Sequence, residues 1–176
     1  MVRDDLAVTE KRKAAFIEEM NLQTDRGVAI VGVAWVEDEI ALALESFLVS
    51  ESNAWKRLFE GTGPLATFSA KIDLARLLGL ITEAIRSDLH IIRDIRNEFA
   101  HQVAHKTDFT KLSFSSAHLK DKCMALKCIA HKNYSEPRIA FINACSILNW
   151  DFEMLRFYGV KISSDGAHIF AQVERQ

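Results

Sequence analysis

Apolar residues recur at every third or fourth position along most of the chain, and this spacing predicts amphipathic helices. Capping side chains, glycines and prolines divide the pattern into separate segments. We predict helices over 9–20, 25–49, a short segment around Trp55, 66–78, 82–103, 115–129 and 136–157. The tail 158–176 contains Asp165-Gly166, a pair typical of a tight hairpin turn. The predicted fold is an all-α, single-domain helical bundle spanning 1–176, with a small C-terminal hairpin.

The segment 25–49 differs from the other predicted helices because it has almost no polar face. It is apolar from Val28 to Val36, is interrupted by the acidic residues Glu37, Asp38 and Glu39, and then becomes apolar again. A helix of this kind belongs at the centre of a bundle or in a contact between subunits. We therefore expect it in the core, and we predict a homodimer formed through the apolar helices.

The composition fits one folded domain. The chain has 176 residues, of which 49% are apolar and 26% charged, and it contains only two prolines and seven glycines. That scarcity of turn residues favours long helices over many short strands. The longest apolar run, 28–36, is much shorter than the roughly 20 residues that a membrane-spanning helix needs. We expect a cytoplasmic protein with no membrane segment.

The charge balance does not support direct binding to duplex DNA. The 22 basic residues are offset by 24 acidic ones, whereas proteins that bind DNA through its phosphates usually carry an excess of positive charge. No short turn joins two helices in the manner of a helix-turn-helix. The best candidate for a nucleic-acid face is the set of lysines within or just after the helix predicted over 115–129, namely Lys120, Lys122, Lys127 and Lys132. A solvated amphipathic helix explains these lysines equally well.

The helix predicted from Thr82 carries a polar cluster on or beside its apolar stripe. Arg96 falls on that stripe, and Asn97 and His101 lie one turn apart on the adjacent row. A buried guanidinium keeps its charge, so it needs a carboxylate or carbonyl partner. We predict that one of the three carboxylates at Glu37, Asp38 and Glu39 pairs with Arg96, and that this cluster holds the central helices together.

The sequence predicts neither a metal nor a cofactor. Cys123, Cys128 and Cys145 lack the Cys-x-x-Cys spacing of zinc sites, and we expect them to be reduced and buried. His101 and His105 could share one helix face, but no third ligand is suitably spaced. The glycines of "EGTGPL" are not followed by the Gly-Lys-Ser/Thr of a phosphate-binding loop.

The stretch "RNEFAH", 96–101, resembles the Arg-x-x-x-x-His pattern of the HEPN helical superfamily. In nuclease members of that superfamily, the arginine and the histidine act in metal-free RNA cleavage at a dimer interface. The resemblance therefore implies Arg96 as the group that stabilises phosphate charge and His101 as the acid-base group, with Asn97 beside them. Many proteins of this type keep the pattern without nuclease activity, so a purely structural role is the alternative.

A second resemblance covers about residues 24–105. "TDRGVAIVGVAWVEDEI", "LFEGTGPLATFSAKIDLARLLGLI" and "LHIIRDIRNEFAH" occur in this order and resemble the mannitol operon repressor family of bacteria. The middle block, with its glycine-proline loop and "TFSAKI", is the most distinctive. The resemblance implies an all-helical protein associated with repression of mannitol uptake and utilisation genes. The helices predicted over 115–157 and the tail add little to it.

Together these observations predict a transcriptional regulator that acts mainly through protein contacts and without catalysis. Its expected partner is another protein of the transcription or sugar-uptake machinery. The alternative is a metal-independent endoribonuclease that uses Arg96, Asn97 and His101.

Overall fold

The computed structural model describes residues 2–101, 112–158, 160–161 and 169–170. Within these ranges the chain forms seven α-helices, one 3-10 turn and two short strands, which confirms the predicted all-α bundle. Their bounds are α1 Val2–Leu22, α2 Asp25–Phe47, α3 Ser52–Phe59, α4 Phe68–Leu77, α5 Glu83–His101, α6 Ala117–Met124, the 3-10 turn Lys127–Ile129, α7 Pro137–Tyr158, β1 Val160–Lys161 and β2 Ile169–Phe170.

The helix ends follow the capping residues seen in the sequence. The Thr24 hydroxyl accepts the N–H of Gly27 at 3.1 Å, and the Thr67 hydroxyl accepts the N–H of Ala70 at 3.2 Å. Gly79 ends α4 with φ at 72°, a left-handed conformation that suits glycine and closes the last turn with a bond from its N–H to the Arg76 carbonyl. These local interactions place α2 and α4 close to their predicted bounds.

The core lies around α2, which contacts α1, α4, α5 and α7. Its buried side chains are Val28, Ala29, Val33, Val36, Ile40, Ala43 and Leu44. The most extensive packing is between α2 and α7, the other long and largely apolar helix. The central position expected for an all-round apolar helix is confirmed, and most of the apolar surface of α2 is covered within the chain.

Two predicted elements differ from the structure. Instead of one helix over 115–129, α6 ends at Met124 and a separate 3-10 turn follows from Lys127. The first helix is longer than predicted and begins at Val2. The predicted hairpin is present as an antiparallel pairing of Val160 with Phe170 and of Lys161 with Ile169, although its turn lies outside the described residues. Within the described ranges, no helix has the length and apolarity needed to span a bilayer.

Candidate functional site

The predicted cluster on α5 is only half-buried. Arg96 is partly exposed and its place in the buried stripe is taken by Ile95, while Asn97 is half-buried and His101, the last residue of α5, is exposed. Five positions on an α-helix correspond to a rotation of about 140°, so Arg96 and His101 project in different directions. Among the described residues, the Nε atom of Arg96 is buried without a hydrogen-bond partner. The neighbouring Arg93 is bonded to Asp94 at 2.8 Å.

The acidic residues of α2 do not pair with Arg96, contrary to the prediction. Glu37 instead accepts a hydrogen bond from Lys71 of α4 at 2.9 Å. Glu39 faces the opposite way, with an oxygen 3.6 Å from Arg156 of α7, and Asp38 is exposed. Within the described part of the chain, no ion pair joins any of the three carboxylates to Arg96. The reason is geometric, because consecutive residues of a helix point about 100° apart and α2 meets a different neighbour on each side.

A buried aspartate on α5 performs the structural role that the sequence had assigned to Arg96. Asp88 is 0% exposed, and its carboxylate accepts the main-chain N–H groups of Lys127 at 3.1 Å and Cys128 at 2.7 Å. Burial raises the pKa of Asp88, and the two main-chain bonds oppose that rise. This carboxylate fixes the start of the 3-10 turn and so explains why α6 does not continue. The sequence signal that could have identified Asp88 is its position on the apolar stripe of α5, which also contains Ile85, Leu89 and Ile92.

A second cluster, half-buried and also missed from the sequence, joins α7 to the α1–α2 turn. The guanidinium of Arg138 donates to the carboxylate of Asp25 and to the carbonyls of Met20, at 3.0 Å, and Gln23. The other carboxylate oxygen of Asp25 accepts the N–H of Phe114 at 3.1 Å. Three parts of the chain are thus held by one ion pair and its hydrogen bonds.

The lysines predicted as a nucleic-acid face lie on three different elements. Lys122 is bonded to Glu98 of α5, which also lies 2.7 Å from the imidazole of His118. Lys120 lies on α6, whereas Lys127 belongs to the 3-10 turn and Lys132 to the loop that follows it. Since the helix ends at Met124, these side chains do not share the row that a continuous helix would have created.

A groove of about 340 Å³ lies between α1, α2 and α7. We call it the α1–α2–α7 groove; it is lined by Arg12, Lys13, Phe16, Trp35, Asp38, Glu39, Leu42, Ser146, Asn149, Trp150 and Glu153. Nothing in the sequence pattern indicated this groove, because its lining comes from three helices far apart in the chain. Two of the acidic residues highlighted in the sequence, Asp38 and Glu39, lie here.

Several polar atoms at the groove have no hydrogen-bond partner in the described structure. They are Ser146 Oγ, both side-chain amide atoms of Asn149, and Glu39 Oε2. Buried polar atoms are bonded in the great majority of cases, so four such atoms around one cavity are unusual. Burial raises the pKa of Glu39, with the Arg156 charge opposing the rise. Burial also raises the pKa of nearby Asp151 to about 7.

The three cysteines are buried free thiols, as predicted. Burial raises the pKa of Cys123 to about 12, and it raises the pKa values of Cys128 and Cys145 as well, so none of them is a reactive thiolate at neutral pH. Across the described ranges, no group of three or more histidine, cysteine, aspartate or glutamate side chains is arranged to hold a metal. His105 lies outside the described residues.

No protein-family model and no curated protein matches the chain in sequence. Its fold is similar to that of a chain in the X-ray structure of the MtlR-HPr complex from Escherichia coli. The TM-score is 0.65 at 18% sequence identity, and the similarity covers 80% of this chain and 97% of that chain. At this identity the likeness establishes a common fold.

Proposed function

We propose that the protein is a bacterial regulator similar to the mannitol operon repressor, and that it acts in the cytoplasm by binding another protein of the transcription or sugar-uptake machinery. The observation that carries this proposal is the likeness of its fold to nearly the whole of a chain from a complex of MtlR with HPr. The resemblance of three sequence blocks between residues 24 and 105 to the mannitol operon repressor family agrees with it. HPr is therefore the first partner to test.

Binding to a protein agrees better with the surface than binding to DNA does. The lysines Lys120, Lys122, Lys127 and Lys132 are spread over α6, the 3-10 turn and a loop, and Lys122 is already bonded to Glu98. A duplex requires a contiguous basic surface that releases counterions from its phosphates. A protein partner requires instead an apolar centre with a polar rim.

The end of α4 has this arrangement, and we assign the partner contact to it. Leu77 is 84% exposed and the adjacent Leu78 is also exposed, so two neighbouring leucines meet solvent. Arg76 precedes Leu77 directly in the chain and is bonded to Glu83 at 3.3 Å, and Glu83 also accepts a bond from Arg86 at 3.0 Å. Both leucines belong to the block in which the resemblance to the repressor family is most distinctive. We call Leu77 and Leu78 the α4 patch.

Calorimetric titration of the purified chain with the HPr protein of the same bacterium tests the proposal. We expect a saturable complex with a Kd on the order of micromolar, as is typical of a small transient interface. Leu77→Glu should weaken it at least about tenfold, since a charge in the apolar centre must be desolvated. Val49→Glu is the matched control, because Val49 is 91% exposed and lies on the α2–α3 connection.

The two possible failures differ. If the parent chain does not bind HPr, the assignment of the partner is wrong. If the parent and Leu77→Glu bind HPr equally well, the partner stands and the α4 patch is wrong. Sedimentation of the same samples measures whether the chain forms the predicted homodimer.

A metal-independent ribonuclease is the second candidate function. It is favoured by the exposure of His101 at the end of α5, which leaves the imidazole open to a ligand. Incubation with total bacterial RNA in chelator, beside His101→Ala, tests it. Cleavage by the parent and none by the variant would establish a ribonuclease. Intact RNA in both samples would leave Arg96, Asn97 and His101 with a structural role.

A further inference from the structure

The α1–α2–α7 groove has the size and lining of a small-molecule site. Its volume of about 340 Å³ lies at the lower end of the roughly 300–1,000 Å³ of ligand pockets and suits a ligand of one ring. Its apolar lining consists of Phe16, Trp35, Leu42 and Trp150. Neither the α4 patch nor the cluster on α5 contributes to it, so a ligand in this groove is independent of the proposed function.

An exposed indole ring borders the groove. Trp35 is 44% exposed although it belongs to the central helix α2, and it is stacked on the buried ring of Phe16 with 4.7 Å between the centroids. The stacking fixes the plane of the indole without covering it completely. A rigid, exposed aromatic face beside a cavity is a surface on which the apolar face of a ring-shaped ligand can pack.

The unbonded polar atoms at the groove require both donors and acceptors. The Asn149 amide needs a donor for its oxygen and an acceptor for its nitrogen, and the Glu39 oxygen needs a donor. The Ser146 hydroxyl can bond in either direction. A buried polar group without a hydrogen-bond partner destabilises the folded protein. In the described structure no side-chain or main-chain group forms a hydrogen bond with these atoms, although Arg156 forms an ion pair with Glu39 Oε2 at 3.6 Å.

The charges at the groove favour an uncharged ligand. The guanidinium of Arg12 is 2.6 Å from Glu153, and Arg156 lies 3.6 Å from Glu39. The remaining cation, Lys13, lies over the Trp150 ring at 6.0 Å from its centroid. Three acidic side chains and two basic ones line the groove, so there is no excess of positive charge for a phosphate or carboxylate.

We propose that the α1–α2–α7 groove binds a neutral sugar or sugar alcohol of monosaccharide size. The hydroxyl groups of such a ligand bond to Asn149, Ser146 and Glu39, and its C–H face packs on Trp35. A hydroxyl both donates and accepts hydrogen bonds, so one type of group meets the needs of all three side chains.

Tryptophan fluorescence and calorimetry with defined sugars test the proposal. Trp55→Phe removes the one tryptophan outside the groove, which is stacked on Phe59 elsewhere in the chain, so that the remaining signal comes from Trp35 and Trp150. The probes are neutral aldohexoses and hexitols, their phosphate esters, and nucleosides, each titrated to about 10 mM. At least one neutral sugar should give a saturable change with a Kd at or below about 1 mM.

Asn149→Leu identifies the groove as the binding site. Leucine has a similar volume but no polar atoms, so the variant should bind the sugar at least about tenfold more weakly while its melting temperature is unchanged or higher. Asn143→Leu is the matched control on the same helix, because the Asn143 amide bonds to the Ile139 carbonyl away from the groove. Trp35→Ala is a second variant, at a partly exposed ring, and should also weaken binding.

Three results would overturn the proposal. One is the absence of a saturable response to every neutral sugar by the folded parent. Another is tighter binding of a phosphate ester or a nucleoside than of any neutral sugar. The third is equal sugar binding by Asn149→Leu and Asn143→Leu, which would place the ligand elsewhere.

Discussion

The start and the middle of α7 show opposite ways of burying polar side chains in one helix. Near its start, Arg138 is bonded to Asp25 and to two carbonyls. Around its middle, Ser146 and Asn149 have side-chain atoms without hydrogen-bond partners among the described residues. A bonded polar cluster holds neighbouring elements together, whereas an unbonded one marks a place where another molecule can supply the missing bonds.

The difference comes from the part of the structure that each of these two regions of α7 contacts. Arg138 lies against the turn between α1 and α2, where the carbonyls of a helix end have no partner within the helix. Asn149 and Ser146 lie against the sides of α1 and α2, where the main chain is already hydrogen-bonded within each helix. A polar side chain can be satisfied by the backbone at a helix end, but at a helix side it needs another side chain, water or a ligand.

The largest effect is expected at the bonded end. Arg138→Ala leaves Asp25 without its ion-pair partner and the Gln23 carbonyl without this donor. The free energy of unfolding should fall by about 3 kcal/mol, the lower end of the range for a buried pair, because both side chains are about one-quarter exposed. Urea denaturation followed by circular dichroism measures this change. Arg57→Ala, at an exposed arginine of α3, should change stability by less than about 0.5 kcal/mol. A loss at Arg138 no larger than that at Arg57 would contradict the contrast between the two regions of α7.

A smaller loss is expected at the buried carboxylate of α5. Asp88→Ala leaves the N–H groups of Lys127 and Cys128 without an acceptor and should reduce the free energy of unfolding by about 2–3 kcal/mol. The rate of amide hydrogen exchange at these two residues should increase by the factor that corresponds to this loss of free energy. Asp121→Ala, at an exposed aspartate of α6, is the control for loss of a carboxylate. Unchanged exchange at Lys127 and Cys128 would show that Asp88 does not hold the turn.

The smallest of these effects depends on pH and concerns Asp151, in the second half of α7. The pKa of Asp151 is about 7 in the folded protein, compared with an ordinary value of 3.8. At pH values between these two, the carboxyl group is protonated in the folded state but has lost its proton in the unfolded state. Stability should therefore fall as the pH rises through this window and level off above it. A pKa difference of this size corresponds to about 4 kcal/mol at full effect. Because the Asp151 side chain is only half-buried and water screens its charge, we expect Asp151→Asn to remove the decline and to stabilise the protein by about 2 kcal/mol at about pH 8.

Melting temperatures of the parent and Asp151→Asn between about pH 4 and pH 9 test this prediction. The two curves should meet at low pH, where the aspartate is protonated and neutral like asparagine, and separate as the pH rises. Asp94→Asn, at a half-buried aspartate of α5 bonded to Arg93, is the control. Parallel curves for the parent and Asp151→Asn would show that the pKa of Asp151 is not raised in the folded protein.

The local features of the fold were determined by the sequence itself. Thr24 and Thr67 cap their helices and Gly79 ends α4, because these interactions join residues at most four positions apart. The apolar pattern of α2 predicted its central position, since such a helix is stable only when it is covered on all sides. The buried, unreactive cysteines follow from the same pattern.

Only the tertiary structure decided which polar groups meet. The sequence identified Arg96 and three carboxylates as partners, yet Glu37 meets Lys71 and Glu39 lies near Arg156, because the rotation of α2 about its axis sets what each side chain faces. Asp88, the Arg138 cluster and the α1–α2–α7 groove join residues that are far apart in the chain. A repeating pattern specifies which face of a helix is buried, but the partner on that face depends on how the helices cross.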